Sequence, residues 1–146
     1  MRFPAVRWAR RIAGLLVGLI VFAAFSAVLA AERGFPDDGE FMLEVKPMKG
    51  SKRVPILEFE SQDAASIDLW CSRVHAQFVV VGETITIILG APAEPQYSTA
   101  QQCEPERMQA DEDLMAALQQ VETWQRRDDE LVLQGQQALR FRLSSH

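Results

Sequence analysis

Two cysteines, Cys71 and Cys103, are the residues of this sequence best suited to do chemistry. A thiol can act as a nucleophile, bind a metal, form half of a disulfide or serve as a small buried apolar group. Zinc usually needs about four ligands at paired spacing, and the chain adds only two histidines without such spacing, His75 and the last residue, His146. We therefore expect no metal site and no cofactor.

A catalytic cysteine would need a histidine to accept its proton, and only His75 is close to Cys71 in sequence. If both lay on one strand, they would be separated by about 13 Å along the same face, too far for direct activation. The chain also lacks a nucleophile-elbow serine, a glycine-rich phosphate loop and a pair of carboxylates flanked by apolar groups. We therefore expect a protein that is not an enzyme.

The N-terminus has the pattern of an export signal. An uncharged run at residues 12–31 follows four arginines, Arg2, Arg7, Arg10 and Arg11. A cut after Ala30 would place Val28 and Ala30 at the two positions where a signal peptidase requires small side chains. A run of about 20 apolar residues can also span a bilayer uncut, so residues 1–30 form a signal peptide or a signal anchor. For a bacterial source, either alternative places the remaining chain in the periplasm, free or anchored in the inner membrane.

An oxidising compartment and an even number of cysteines favour a disulfide between Cys71 and Cys103. The bridge would join the strand near Arg73 to the segment before a predicted helix, and it would contribute about 3 to 4 kcal/mol in the chain-entropy model. A redox-active pair is the weaker alternative, because the two cysteines do not form a Cys-x-x-Cys motif. A bridge also requires Cα atoms within about 7 Å of each other, which only a structure can supply.

The charge of the exported part limits its partners. Four of the 15 basic residues lie before Ala30 and all 20 acidic residues follow it, which leaves 11 basic against 20 acidic residues and a net charge of −9. Such a body disfavours nucleic acid, whose affinity comes mainly from cationic side chains, and by its net charge it disfavours anionic lipid surfaces. We expect membrane contact only through the N-terminal segment, if that segment stays uncut.

Most of the exported part alternates apolar and polar residues, which predicts half-buried strands. The polar residues 31–39 are predicted to be a linker, and the folded domain is predicted to span residues 40–146. The alternating apolar sets are Phe41, Leu43 and Val45; Ile85, Ile87 and Leu89; Leu131 and Leu133; and Leu139, Phe141 and Leu143. Turn signals lie at residues 48–52, Gly82, residues 128–129 and Gly135. Such short connections favour antiparallel pairing, because a parallel crossover needs a dozen or more residues.

One segment, residues 104–123, has the periodicity of a helix. Pro105 suits a first helical position, acidic residues crowd the first turns, and apolar residues recur at helical spacing. The predicted apolar face consists of Met108, Leu114, Met115, Ala117, Leu118 and Val121. The carboxylates Asp111, Glu112 and Asp113 are predicted to form a solvated face. We expect this amphipathic helix to pack across a sheet.

The order of these motifs, from about Phe41 to Leu143, resembles that of the META domain, the family of HslJ-like bacterial envelope proteins. The matching stretches are Phe41-Met42-Leu43, Pro55 to Phe59, Trp70-Cys71-Ser72-Arg73, Thr99 to Cys103, Leu118-x-x-Val121-x-x-Trp124, and the pairs Leu131/Leu133 and Leu139/Phe141. The glycine and asparagine that flank the family's first cysteine are replaced here by Trp70 and Ser72, which puts any function of that motif in question.

The resemblance implies a mainly β (α+β) fold, either a curved antiparallel sheet or a partly open β-barrel with one helix packed across it. It implies a non-catalytic exported module that supports envelope stress tolerance through contacts with other envelope proteins, whose identity the sequence does not give. The alternative is a carrier that holds a small apolar ligand or lipid inside the barrel, where Trp70, Phe78 or Trp124 would line the cavity.

Overall fold

The computed structural model describes residues 34–93 and 103–144. Segments in which apolar and polar side chains alternate form eight strands, and the segment with a 3.6-residue period forms one helix. In chain order the elements are β1 (Gly39–Leu43), β2 (Ile56–Ser61), β3 (Ala64–Asp68), β4 (Arg73–Val81), β5 (Thr84–Leu89), α1 (Pro105–Gln119), β6 (Thr123–Arg127), β7 (Glu130–Gln134) and β8 (Ala138–Leu143). The predictions for residues 1–30 lie outside the described residues. In the described part of the chain, no helix has the length and apolar character needed to cross a bilayer.

The strands form a closed antiparallel barrel in sequence order. Closure comes from β1 and β8, which pair Phe41 with Leu143 and Leu43 with Phe141. The predicted mainly β fold with one helix packed across it is therefore confirmed, and the barrel is closed instead of partly open.

The seam between β5 and β6 is the shortest in the barrel. Only Thr84 and Thr123 are in register there, although the Ile85 N–H also donates to the Glu122 carbonyl at 2.9 Å. Helix α1 packs against β5. The helix therefore covers the part of β5 that β6 does not reach, because β6 starts level with the beginning of β5.

Inward-facing side chains from the strands meet in one hydrophobic core. The largest fully buried ones include Phe41, Leu57, Ile67, Ile85, Leu131, Leu133 and Phe141. Each such side chain contributes about 1.5 to 3 kcal/mol of transfer free energy before entropy is counted. Val45, predicted to share the inner face with Phe41 and Leu43, instead lies beyond the end of β1 and is 41% exposed.

The folded domain begins before Glu40, which corrects the prediction of a linker at 31–39 for its described residues, 34–39. Phe35 and Pro36 are buried, and the Phe35 ring packs against Phe59 and Phe78 with centroids 5.4 and 5.5 Å apart. Residues 31–146 form a compact unit. Because the barrel closes within this unit and builds its own core, we expect the unit to fold independently.

Helix α1 has about four turns and ends at Gln119, before the end of the segment 104–123 in which the helix was predicted. Its buried side consists of Asp111, Leu114, Ala117 and Leu118. Met108, predicted to lie on the apolar face, is 48% exposed, because the buried side of the helix starts one turn later. Val121 follows the helix but is still buried.

Gly135, in the turn between β7 and β8, lets this turn approach the end of α1. A Cβ atom placed at Gly135 would lie 2.8 Å from the carbonyl carbon of Gln120 and 3.1 Å from the Cα atom of Val121. Both neighbours are backbone atoms, which cannot rotate away. The absence of a side chain at Gly135 therefore permits the contact between this turn and the helix.

Replacing Gly135 by alanine is expected to lower the free energy of unfolding by about 1 to 3 kcal/mol through steric overlap. The matched control is Gly34→Ala, because a Cβ atom at Gly34 would meet nothing within 4 Å, and its expected effect is below about 0.5 kcal/mol. Urea unfolding of both variants measures the difference. Equal stabilities would show that the turn and the helix do not touch as described.

Candidate functional site

The predicted disulfide between Cys71 and Cys103 is present in the structure. Cys71 lies in the turn between β3 and β4, and Cys103 lies two residues before α1. The two Cα atoms are 5.7 Å apart, within the usual range for a bridge. The disulfide therefore attaches the β3–β4 turn to the start of the helix.

A second connection between this turn and α1 is made by the carboxylate of Asp111. Oδ1 accepts a hydrogen bond from the backbone N–H of Trp70 at 2.8 Å, and Oδ2 accepts from the Cys71 N–H at 3.1 Å and from the Ser72 hydroxyl at 2.9 Å. Three successive residues of the turn thus donate to one side chain of the helix. We call this arrangement, Asp111 with Trp70, Cys71 and Ser72, the aspartate clamp.

The burial of Asp111 corrects the prediction of a solvated acidic face. Asp111 is only 4% exposed, whereas its neighbours Glu112 and Asp113 are exposed as predicted. Residues three or seven positions apart lie on the same side of a helix. Asp111 precedes Leu114 by three positions and Leu118 by seven, so it shares their buried side. That spacing was a usable signal for the clamp.

Burial raises the pKa of the Asp111 carboxyl above its ordinary value of 3.8, and the hydrogen bonds from Ser72, Trp70 and Cys71, which favour the ionised form, oppose this effect only in part. The native state therefore holds the proton of Asp111 more tightly than the unfolded chain does. By linkage, the contribution of this group to stability is greatest below pH 3.8 and declines as the pH rises through the raised pKa of the folded state.

Asp111→Asn provides the comparison that isolates this titration, because asparagine has a similar size but does not ionise. The free energy of unfolding of the native protein, relative to Asp111→Asn, is expected to fall as the pH rises from 3.8 through the native pKa of Asp111 and to stay constant above it. Chemical denaturation at a series of pH values measures this difference. A difference that increases with pH would mean that hydrogen bonding, and not burial, sets the pKa.

An ion pair closes the base of the same turn. Asp68, the last residue of β3, faces Arg73, the first residue of β4, and Arg73 donates to both carboxylate oxygens, with Nη2 at 2.7 Å from Oδ2. Within the turn, the Leu69 N–H donates to the Ser72 carbonyl at 2.8 Å. The disulfide, the aspartate clamp and this ion pair together fix the position of the β3–β4 turn.

The residues selected by the family resemblance do not converge on one site. Trp70 and Arg73 flank the turn that contains Cys71, whereas Leu118 and Val121 are buried in the core. Trp124 packs edge-on against Phe35, and its indole N–H donates to the Gly82 carbonyl at 2.8 Å. Thr99 lies outside the described residues. These placements give the residues structural contacts with different parts of the barrel.

The remaining candidates for chemistry lie apart from each other. His75 is exposed on the outer side of β4, opposite Ser66 of β3, and the sulfur of Cys71 is bonded to Cys103. Among the described residues, no group of three or more His, Cys, Asp or Glu side chains is arranged to hold a metal ion. The described geometry therefore gives Cys71 a structural role.

An open cleft of about 330 Å³ lies between α1 and the ends of β1 and β8, beside the aspartate clamp. Leu43, Trp70, Leu114 and Leu139 contribute apolar lining. The indole N–H of Trp70 is buried and has no hydrogen-bond partner in residues 34–93 and 103–144. The cleft lies at the helix-covered end of the barrel and is open to solvent.

The comparisons with known proteins agree with the resemblance in sequence. The model of the META domain family matches residues 40–145, a span that contains α1 and nearly all of the barrel. A comparison with curated proteins and a comparison with solved structures each found no match. Because the family model matches most of the chain, this protein belongs to the META domain family.

Proposed function

We propose that this META domain protein is an exported, non-catalytic module of the bacterial envelope that supports stress tolerance by binding other envelope proteins. Family membership and the apolar N-terminal run with its preceding arginines support export. The main observation behind the proposal is that the most reactive side chains have structural roles. Both cysteines are joined to each other, and the buried carboxylate of Asp111 is occupied by three donors from the β3–β4 turn.

A rigid, covalently stapled surface suits the binding of another protein. The helix-covered end of the barrel combines the fixed β3–β4 turn with Trp70, and tryptophan is enriched among the residues that dominate binding energy at protein interfaces. Interfaces whose backbones are already fixed lose less conformational entropy on association. A turn held by a disulfide, an ion pair and the aspartate clamp has this property.

The experiment is site-specific photo-crosslinking in living cells. A photoreactive amino acid is introduced, one position at a time, at exposed sites that sample different faces: Gln136 in the β7–β8 turn, Glu112 on α1, and Val81 at the end of β4. The expected result is an adduct with the same envelope protein from positions on one face and none from the others, together with a growth defect of the deletion strain under envelope stress. The absence of adducts at every position, with no growth defect, would contradict the proposal.

The carrier hypothesis is weakened by the placement of its three aromatic residues. Phe78 is buried in the core, where it packs against Phe35 and Phe59, and Trp124 packs against Phe35. Trp70 lines the open cleft beside the aspartate clamp, and that cleft lies at the end of the barrel. Native mass spectrometry tests this alternative, because a carrier would retain a bound lipid after purification and a filled barrel would not.

A further inference from the structure

The loop between β1 and β2 carries an isolated group of positive charges. Within eight positions it contains four basic residues, all of them exposed: Lys46, Lys49, Lys52 and Arg53. The acidic residues that bracket this stretch of the chain are Glu44, which pairs with Arg142, and Glu58, on β2. We call residues 45–54 the basic loop.

In the described residues, none of these four side chains forms an ion pair with a carboxylate. Most other basic residues do so: Arg73 with Asp68, Arg107 with Glu104, Arg140 with Glu130, and Arg142 with Glu44. The described part of the chain has 18 acidic and 10 basic residues, so six basic residues remain against 18 acidic ones outside the basic loop. A concentrated positive charge therefore projects from a strongly negative body.

The backbone of the basic loop holds these charges outward. The Ser51 N–H donates to the Met48 carbonyl at 3.0 Å, and Gly50 has φ +77°, which is the geometry of a type II turn with glycine in its third position. Lys49 lies at the tip of this turn, next to Gly50. The Leu43 N–H donates to the Pro55 carbonyl at 2.9 Å, so the two ends of the loop are fixed on the barrel.

The types of these side chains indicate what the basic loop binds. Three of the four are lysines, whose compact ammonium groups act as point charges on flexible stems and need no planar partner group. Val45, beside Lys46, is 41% exposed and Met48 is half-buried. Exposed apolar side chains among lysines suit the boundary between headgroups and acyl chains of a bilayer, where the charges attract anionic lipids.

We infer that the basic loop is a docking surface for the anionic phospholipids of a bilayer. The net charge of −9 in the exported part opposes such contact, but charges farther away than a Debye length, about 8 to 10 Å in physiological salt, are largely screened. The basic loop holds four of the ten basic side chains in the described residues, so we expect the barrel to face the membrane with the end that carries this loop. This inference is independent of the proposed protein contacts.

Vesicle binding of the chain from Ala31 to His146 tests the inference, because this unit closes its own barrel and lacks the apolar N-terminal run. The expected result is binding to vesicles with about 30% phosphatidylglycerol and much weaker binding to pure phosphatidylcholine, with affinity falling as salt rises. Each basic side chain near an anionic surface contributes about fivefold in affinity. The variant Lys49→Gln with Lys52→Gln is therefore expected to bind about 25-fold more weakly.

The control is the single variant Arg127→Gln, which removes one charge from an exposed position at the end of β6, in the turn to β7 at the opposite end of the barrel. It is expected to weaken vesicle binding less than about twofold, whereas the single variant Lys49→Gln is expected to weaken it about fivefold. All of the substituted side chains are exposed, and circular dichroism verifies the fold of each variant. Equal affinity for the two kinds of vesicle, or equal losses in these two single variants, would overturn the inference. Tighter binding of the native chain to a poly-glutamate peptide than to the anionic vesicles would assign the basic loop to an acidic protein partner instead.

Discussion

Replacing Asp111 by alanine is expected to lower the free energy of unfolding by about 2 to 4 kcal/mol, because three hydrogen-bond donors of one turn lose their acceptor at the same time. The donors are the backbone N–H groups of Trp70 and Cys71 and the hydroxyl of Ser72. Removing the carboxylate also removes the cost of burying its charge, which places the expected value below the sum of three full desolvation penalties. Urea unfolding measures the change.

The matched control is Glu112→Ala, at the adjacent and exposed position of α1. Its expected effect is within about 0.5 kcal/mol, since it removes a solvated side chain without hydrogen bonds to the turn. Hydrogen exchange provides a local test: the amides of Trp70 and Cys71 should exchange faster in Asp111→Ala and at the native rate in Glu112→Ala. Equal stabilities of the two variants would show that the aspartate clamp contributes little.

Removing the disulfide by replacing Cys71 and Cys103 with serine is expected to cost about 3 to 4 kcal/mol, the chain-entropy value for partners 32 residues apart in sequence. Without the bridge, the unfolded chain has a higher conformational entropy, which lowers the free energy of unfolding. For a domain of this size the loss corresponds to a decrease in Tm of roughly 15 °C. Calorimetry of the variant and the native protein under the same conditions measures the shift.

Reduction of the native protein provides the control for this prediction. If the stability comes from the bridge, adding a reductant should lower the Tm of the native protein to that of the double serine variant and leave the variant unchanged. A variant that unfolds at the native temperature would show that the aspartate clamp alone holds the turn on α1. A reductant that also lowers the Tm of the variant would point to an effect unrelated to these two cysteines.

The strands and the helix could be predicted because their patterns are local. Ile85 and Ile87 alternate with polar residues, and Leu139 and Phe141 do the same, so the inner face of each strand is visible in a short stretch. Closure of the barrel was less accessible, because it depends on pairing between Phe41 and Leu143, at opposite ends of the domain. Phe35 was missed because a single aromatic residue within a polar stretch has no period to reveal its burial.

At the candidate site, too, features that depend on local sequence could be predicted and features that depend on distant contacts could not. The disulfide followed from the number of cysteines and the expected compartment, which require no geometry. The role of Asp111 was hidden by its exposed acidic neighbours, Glu112 and Asp113, although its spacing to Leu114 placed it on the buried side. The basic loop is visible in the sequence, but its isolation from carboxylates depends on how the chain folds.

The intact mass of the protein from the native envelope, measured with and without reductant and alkylation, tests most directly that this is an exported, disulfide-stapled module. The account predicts a chain that begins at Ala31, is about 2 Da lighter than its sequence requires, and accepts two alkyl groups only after reduction. An uncut chain with two free thiols, recovered from the cytoplasm, would contradict both the export and the staple.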